Sequence, residues 1–492
     1  MRKTILISVL VAMLSVAGCT CVPKVPPAGR PNVVVVMVDT LRFDAVKAFG
    51  GKHETPIFDG LVNAGVRFDQ AYSPASWTVP AVASLLLGMY PQTHGLYKGA
   101  VVGRDVVNQQ RIPESYDTLA EVFQQGGYET FGVSTNSHIS KPYGYSDGFD
   151  HFAGSNFLDG RFIELRVRQW MSKLAEAAKG DGYFLYLHWT DPHFPYFPRK
   201  PFINKLRPNY LKEAPRTEED FSPGAIAHLG FPDDKPVFGR TLEDVSPDQL
   251  QIKRYFEQFP SRLPMLHDLY TADVQWCSRS VGKTLLMLPE PANTIIVFVA
   301  DHGEAFHEHN SMAHGIDLYQ ETVHVPLSIV LPNGLGAGTR IDEPVSLIDI
   351  APTLASLVKI TPSKQYEGRD LSPMMRGEAG EKRQLYSHLE KGTGHWRAIF
   401  ESPYKLMIKY PTKGEIHRAE KAGNEAELKV FLFDLENDPG ETNNLVLEKP
   451  EIAVRLAAKL EKEMSRKPIA EAETVGSGDK ELKEKMRSVG YL

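Results

Sequence analysis

The feature that most constrains the fold is an uninterrupted apolar run over residues 294–300 that ends directly in Asp301 and His302. A second apolar run, over 33–38, ends in Asp39 in the same way. Such runs predict strands that are buried on both faces, as in a parallel sheet. Acids at the carboxyl ends of these strands lie where open α/β folds place their chemistry. Either acid alone would also suit a helix cap or a turn, but the two together, with a histidine beside one, indicate a metal site.

Strand and helix patterns alternate through the first three quarters of the chain, which predicts an α/β fold with a mainly parallel sheet sandwiched by helices. The predicted strands are 33–38, 130–134, 183–188, 294–300 and 325–331, and the predicted helices are 56–64, 80–87, 115–125, 161–179, 265–288 and 348–357. After about residue 376 a smaller C-terminal α+β subdomain is expected. Its predicted elements are strands at 384–388, 396–400, 404–409 and 429–434, and a helix at 451–466.

The first residues have the pattern of a targeting segment. A charged start is followed by an apolar run over 5–16, too short to span a bilayer comfortably, and by small residues before Cys19. This ending resembles a bacterial lipoprotein box. The resemblance implies cleavage before Cys19, a membrane anchor through lipid on its thiol, and a periplasmic or surface-facing place in the cell envelope. The outer membrane is preferred because Thr20 follows, and an ordinary secretory signal is the alternative.

These patterns divide the chain into five parts. They are a signal peptide (1–18), a proline-rich tether (19–31), a main domain (32–375) with an insertion at about 197–262, the α+β subdomain (376–466) and a charged tail (467–492) expected to be mobile, with a short helix at 479–487. The net charge of −6 gives no sign of a nucleic-acid surface. Three cysteines are too few for a disulfide scaffold.

A hydroxyl next to a predicted helix start is the second informative feature. Pro80 suits the first turn of a helix, so Thr78 is expected just before a helix N-terminus, where free N–H groups favour an anion. A hydroxyl at such a place can bind a metal, ionise and attack a tetrahedral ester. The alternative is that Thr78 only caps the helix.

Several short sequence segments resemble segments of the sulfatase family of the alkaline phosphatase superfamily, and they occur in the same order as in that family. They are residues 31–39, the block around Thr78, 127–130, 188–193, Asp301-His302-Gly303-Glu304, 314–321, 325–326, 346–354, 404–406 and 433–444. So many blocks in family order are a far more specific signal than any one of them. The resemblance implies a sulfatase-like fold and an ester hydrolase.

The resemblance also implies the site residues. The implied metal ligands are Asp39, Thr78, Asp301 and His302, and the less direct candidates, for a second metal, are Asp191, His193 and His314. Thr78 falls at the nucleophile position. His193 and His314 are implied to bind a substrate oxygen or to protonate the leaving group, and structural histidines bonded to the backbone are the alternative.

The chain departs from the family pattern at the nucleophile. The family carries a cysteine or serine that is oxidised to formylglycine. The methyl group on the β-carbon of Thr78 prevents formation of an aldehyde, so no formylglycine is expected. The family arginine is replaced by Val82, the family lysine falls near Thr135, and one of the usual paired acids is Thr40.

The altered ligands predict the metal and the chemistry. A missing carboxylate at Thr40 and an imidazole at His302 favour mixed nitrogen and oxygen ligation. That suits zinc or manganese, with calcium or magnesium as alternatives. We therefore expect a metal-dependent hydrolase or transferase of sulfate or phosphate esters, acting on a glycan or a lipid head group. The alternatives are a phosphodiesterase or phospho-group transferase acting on envelope lipids or glycans, and a catalytically silent binding lipoprotein.

Overall fold

The structure, a computed structural model, describes residues 29–97, 101–102, 107–154, 160–194, 196–197, 199–209, 260–391 and 394–476. An eight-stranded sheet lies at its centre. Its strands are β1 (Asn32–Val38), β2 (Val66–Phe68), β3 (Glu129–Ser134), β4 (His151–Gly154), β5 (Tyr183–Trp189), β6 (Thr294–Ala300), β7 (Leu327–Val330) and β8 (Arg340–Ile341). They lie side by side in the order β8-β2-β7-β6-β1-β5-β3-β4.

The sheet is mainly parallel, as predicted. The first strand, β1, lies between β5 and β6 and is parallel to both, with Val36 opposite Leu187 and Phe298. Only β7 runs against its two neighbours among these eight strands. Every residue of β1 is fully buried, which explains why its sequence is a continuous apolar run.

Two groups of helices flank the sheet. The main helices are α1 (Pro56–Ala64), α2 (Thr78–Leu87), α3 (Leu119–Gln125), α4 (Arg161–Ala177), α5 (Leu263–Leu285) and α6 (Ile350–Leu357). Helix α5 contacts α1 and α4, whereas α6 contacts α2 and α3. Short helices at Pro91–His94, Lys200–Leu206, Gln320–Val323 and Ser372–Met375 complete this domain within the described residues.

A four-stranded antiparallel sheet forms the centre of the C-terminal subdomain. It consists of β9 (Leu385–Lys391), β10 (Gly394–Glu401), β11 (Tyr404–Tyr410) and β12 (Lys429–Asp434), and helix α7 (Pro450–Met464) packs on β10 and β11. A fully buried ion pair of 2.7 Å joins Lys405 to Glu441, and Lys405 also donates to the carbonyl oxygen of Leu318 in the main domain. The subdomain is therefore fixed to the main domain by buried charge as well as by apolar packing.

Most predicted elements are present, with small shifts at their ends. Helix 56–64 and strands 294–300 and 429–434 have the predicted bounds. The predicted helix 115–125 begins only at Leu119, because the Thr118 side chain caps it together with Glu121. A helix at Lys413–Lys421, capped in the same way by Thr412, was not predicted.

The end of the described chain differs from the predicted mobile tail. Thr474–Gly476 pairs antiparallel with Val107–Gln110, and the backbone N–H of Ile469 donates to the carbonyl oxygen of Thr93. Residues 467–476 are thus hydrogen-bonded to the main domain, an outcome that composition alone could not indicate.

Several predictions fall outside the described residues. They are the signal peptide, Cys19, most of the tether, the centre of the insertion (210–259) and the helix at 479–487. Among the residues that the structure does describe, no helix is long and apolar enough to cross a membrane.

Candidate active site

Two acids leave the same edge of the central sheet side by side. Val38 is in register with Ala300, so Asp39 and Asp301 follow their strands at equivalent points. His302 is the next residue, and one ligand atom from each of these three side chains lies within 4.8 Å of the others. His302 Nε2 is 3.5 Å from Asp39 Oδ1 and 3.5 Å from Asp301 Oδ2. The structure therefore brings together the three metal ligands that were predicted from strand ends and family resemblance.

The electrostatics of this group suit a cation. All three side chains are fully buried, and by hydrogen-bond geometry Asp39 Oδ1 and Asp301 Oδ2 have no partner among the described residues. Burial and the charge of Asp301 raise the pKa of Asp39 well above its usual range. Burial raises the pKa of Asp301 to about 8, against hydrogen bonds from the N–H groups of His302 and Thr40. Two buried carboxylates that resist ionisation and a buried imidazole fit a divalent cation, whose charge would stabilise the ionised acids.

Neighbouring groups orient these side chains. Asn136 Nδ2 donates to Asp39 Oδ2 at 2.7 Å, and His188 Nε2 lies 3.7 Å from the same oxygen. His302 Nδ1 lies 2.9 Å from the carbonyl oxygen of Gly303, so Nδ1 carries the proton and donates it in this hydrogen bond. The lone pair of Nε2 therefore faces the two acids. Sequence reasoning missed Asn136 and His188, because their roles depend on the order of the strands in space.

Gly303 is required by a close approach of the backbone. An added Cβ at this position would lie only 2.0 Å from the carbonyl oxygen of Glu321. The N–H of Gly303 donates to the carbonyl oxygen of Thr322 at 2.9 Å. The chain after the two ligands is thus held against a neighbouring segment, which fixes the direction of the His302 side chain.

Thr78 is the first residue of α2 and faces the same group. The N-cap position belongs to Trp77, which makes no side-chain cap. The Thr78 hydroxyl lies instead 3.4 Å from His302 Nε2. The alternative in which Thr78 caps its helix is therefore not the arrangement that the structure shows. Its hydroxyl lies at the N-terminus of α2, where the helix dipole favours negative charge, and next to His302.

The predicted substrate-side histidines lie next to one another near His302. Ring centroids are 4.9 Å apart for His193 and His314, and 4.5 Å apart for His302 and His314. His314 Nδ1 is 2.9 Å from Glu304 Oε1, and Tyr196 donates to the other oxygen of this carboxylate. Burial lowers the pKa of His314 to about 3 and raises that of Glu304 to about 7. Because both groups resist carrying a charge, His314 and Glu304 are suited to share one proton.

Asp191 is not brought into the group, contrary to its prediction as a further ligand. Its carboxylate accepts a hydrogen bond of 2.8 Å from the N–H of Gly160 and forms an ion pair with Arg199. Arg199 also pairs with Asp273 at 2.6 Å. The carboxylate of Asp191 is therefore engaged by an arginine network, for which the sequence carried no signal.

The positions that lack the family cations are neutral in the structure as well. Val82 is fully buried in the main hydrophobic core. The Thr135 hydroxyl lies 3.1 Å from the carbonyl oxygen of His188 and 2.8 Å from the Thr190 hydroxyl. Neither position therefore brings a positive charge to the site.

A lysine from the C-terminal subdomain reaches the site instead. Lys391 Nζ is 5.0 Å from the centre of the Trp77 ring, next to Thr78, and its charge lowers the pKa of His314. Burial lowers the pKa of Lys391 itself to about 8. Sequence reasoning missed this residue, although strand alternation places it on the same side of β9 as the buried Leu389.

The fold, a mainly parallel sheet flanked by helices, is a sulfatase-like α/β fold. Residues 31–360 match the family described as Sulfatase, and residues 314–469 match the family described as N-sulphoglucosamine sulphohydrolase, C-terminal. The chain belongs to the sulfatase family, a family of hydrolases that act on sulfate esters. The predicted family and fold are thereby confirmed.

Individual relatives are distant in sequence but similar along most of their length. An arylsulfatase of Clostridium perfringens is 24% identical over 481 residues, which cover 85% of this chain and 90% of the relative. A structure solved in complex with its substrate D-glucosamine-2-N,6-O-disulfate has a TM-score of 0.65 at 20% identity and covers 88% of this chain and 97% of that one. A phosphonate monoester hydrolase of Agrobacterium radiobacter has a TM-score of 0.59 at 17% identity, over 88% of this chain and 96% of that one. At these identities the two structures show the fold alone.

Proposed function

We propose that this chain is a metal-dependent hydrolase of sulfate esters in which Thr78 is the nucleophile. The observation that carries the proposal is the position of the Thr78 hydroxyl, 3.4 Å from His302 Nε2 and at a helix N-terminus. His302 in turn lies 3.5 Å from each of two buried acids. The helix N-terminus favours a negative charge on this oxygen, and a cation held by the two acids would favour its ionisation further.

Asp39, Asp301 and His302 would hold the metal. A divalent cation at these residues would act as a Lewis acid and lower the pKa of the Thr78 hydroxyl. Two carboxylates and one imidazole favour zinc or manganese over a cation that prefers oxygen ligands only. Asn136 and the carbonyl group of Gly303 hold Asp39 and His302 in the ligating orientation.

The positions of the side chains support the following reaction. The Thr78 hydroxyl gives up its proton to solvent, its oxygen attacks sulfur, and the ester S–O bond breaks to leave a sulfo-threonine. Water then attacks this sulfur, releases sulfate and returns a proton to the Thr78 oxygen. The departing alcohol needs a proton, and the His314–Glu304 pair, linked at 2.9 Å, is placed to supply it. The ammonium group of Lys391 offsets the negative charge that builds up on the sulfate oxygens. This lysine makes up for the missing cations at Val82 and Thr135.

We propose a sulfated glycan as the substrate. A structural neighbour was solved with a sulfated glucosamine, and other relatives are named for hexuronate and N-acetylglucosamine sulfates. A phosphate or phosphonate monoester is the second candidate. It is favoured by a threonine nucleophile and by similarity to a phosphonate monoester hydrolase.

Turnover by Thr78 variants tests the proposal. Purified protein loaded with zinc or manganese is assayed on an aryl sulfate, glucosamine 6-sulfate, an aryl phosphate and an aryl phosphodiester. Thr78→Ala should lose roughly 10³-fold or more in kcat, whereas the matched Thr78→Ser keeps a hydroxyl and should retain measurable turnover. Acid-quenched wild-type protein should carry sulfate on the peptide that contains Thr78.

The outcomes separate the alternatives. Unchanged turnover of Thr78→Ala would remove Thr78 from the mechanism. Preference for a phosphorus ester would support the second candidate, and no turnover of any ester by metal-loaded protein would support a silent binding protein. Co-expression with a formylglycine-generating enzyme should leave the activity unchanged, because threonine yields no aldehyde.

We also propose that the chain is anchored in the bacterial cell envelope by lipid on Cys19. The support is the sequence alone, namely the charged start, the short apolar run and the small residues before this cysteine. Labelling with radioactive palmitate in an expressing bacterium tests it, since Cys19→Ala should abolish the label.

A further inference from the structure

A second group of metal-ligating side chains lies on the hairpin formed by β9 and β10. His388 and Glu390 are two residues apart on β9, so their side chains lie on the same face of the sheet. His395 on β10 is paired directly opposite Glu390 and shares that face. One ligand atom from each of the three lies within 4.8 Å of the others. These residues are separate from the site described above, and the sulfatase reaction does not use them.

Three of the ring nitrogens lack a hydrogen-bonding partner. His388 Nδ1, His388 Nε2 and His395 Nε2 are buried and bonded to no other group in the part of the chain that the structure describes. Leaving a buried polar atom unpaired costs free energy, so such atoms call for a ligand. Burial, together with the charge of Arg397, lowers the pKa of His388 to about 3.

The three side chains are reached by solvent and lie between charges of opposite sign. The Glu390 side chain is 42% exposed, and His388 Nε2 lies 3.8 Å from its carboxylate, so solvent reaches the group from one side. Arg397 is paired with His388 on the same face, and its positive charge opposes a bound cation. Its guanidinium group is held against Tyr410, with a hydrogen bond of 3.3 Å to the Tyr410 hydroxyl. The carboxylate of Glu390 offsets this charge.

We propose that His388, Glu390 and His395 form a binding site for a divalent cation of the zinc type. Two imidazoles and one carboxylate match the preference of zinc for nitrogen and oxygen ligands in a four-coordinate site. Water reaching the group past Glu390 would complete the coordination. The bound ion would fix the β9–β10 hairpin at the point where Lys391 enters the active site.

Cobalt(II) binding tests this site, because a four-coordinate cobalt ion with nitrogen ligands absorbs visible light. Chelator-treated Asp301→Asn protein is titrated with cobalt chloride. This variant is used because the substitution already weakens metal binding at the active site. We expect binding of about one equivalent with a visible band. The band should disappear in Asp301→Asn/His388→Ala and persist in Asp301→Asn/His417→Ala, in which an exposed histidine of the same subdomain is removed.

Two further variants keep the result interpretable. If His388→Ala fails to fold by circular dichroism, Glu390→Gln replaces it, because that side chain is only partly buried. Arg397→Gln removes the opposing charge and should tighten cobalt binding several-fold. A cobalt band that survives His388→Ala and Glu390→Gln, or no binding by Asp301→Asn protein, overturns the proposal. Neither outcome bears on Thr78, since turnover is not measured.

Discussion

The two groups of metal-ligating side chains are built in opposite ways. Asp39 and Asp301 come from strands that lie far apart in the chain, and they meet only because β1 and β6 are neighbours in the parallel sheet. The group of His388, Glu390 and His395 comes from a single hairpin of the antiparallel sheet. The first group is fully buried, whereas the Glu390 side chain of the second is 42% exposed.

This difference determines how much of the structure each group of ligands depends on. The acids at the sheet edge depend on the whole central sheet, so replacing them affects metal, chemistry and stability at once. The hairpin group depends only on one pair of neighbouring strands.

The largest expected effect is that of Asp301→Asn. The substitution removes a charged ligand and should lower metal affinity by at least about 100-fold, with a matching loss of turnover. In metal-free wild type, the pKa of Asp301 is raised from 3.8 to about 8, so folding stability falls as the pH rises between those values. Asp301→Asn should lose this component of the pH dependence.

Elemental analysis and thermal melts at pH 5 and pH 8 check this prediction, with the exposed Asp181→Asn as the control. Full metal content in Asp301→Asn would show that the sheet edge does not hold the cation. The comparison between a metal site built from distant strands and one built from a single hairpin would then no longer hold.

An intermediate effect is expected for Lys391→Met, which tests whether the smaller sheet contributes to catalysis. Removing one fixed positive charge from the substrate oxygens should lower kcat/KM by about 100-fold. Because burial lowers the pKa of Lys391 to about 8, wild-type activity should also fall as the pH rises through 8, and Lys391→Met should lack that step. Steady-state kinetics between pH 6 and 9.5 measure both. If Lys391→Met matches the exposed Lys382→Met in kcat/KM, the lysine has no role in the reaction.

The smallest effect is expected for Glu321→Gln, at the contact between the two domains. Burial opposes a charge on His309, but the hydrogen bond and charge of Glu321 outweigh it and raise the pKa of His309 to about 9. The pair therefore stabilises the fold fully below the ordinary histidine pKa of 6.5, and this stabilisation is lost as the pH rises through 9. His309 is partly exposed, so the contribution should be under about 1 kcal/mol.

Urea unfolding at pH 6 and pH 9.5 measures this contribution. Glu321→Gln should be less stable than wild type only at the lower pH, with kcat unchanged. An equal loss at both pH values would show that the effect does not come from the charge of His309.

Apolar runs and family blocks predicted the parts of the site that follow directly from a strand or a helix start. Asp39 and Asp301 were found because each ends a continuous apolar strand, and Thr78 because Pro80 marks the start of α2. Strand ends in a parallel sheet converge at one edge, so their chemistry can be inferred before any contact is known.

The parts that were not predicted depend on how separate segments dock. Lys391 reaches the active site because β9 is bound to the loop before Thr78, where the Ser387 hydroxyl donates to the carbonyl oxygen of Ser73. Asp191 was expected near the metal, but Arg199 engages its carboxylate. Side-chain partners of this kind come from segments that sequence patterns do not relate to one another.

The position of β1 in the sheet has a consequence for biosynthesis. Both neighbours of β1 in the sheet, β5 and β6, are made much later in translation than β1 itself, the second ending at Ala300. Until β5 is made, the seven residues of β1, most of them apolar, lack a neighbour in the sheet and are prone to aggregate. The sheet can close on both sides of β1 only after β6 has been made, and pairing between segments so far apart in the chain is slow.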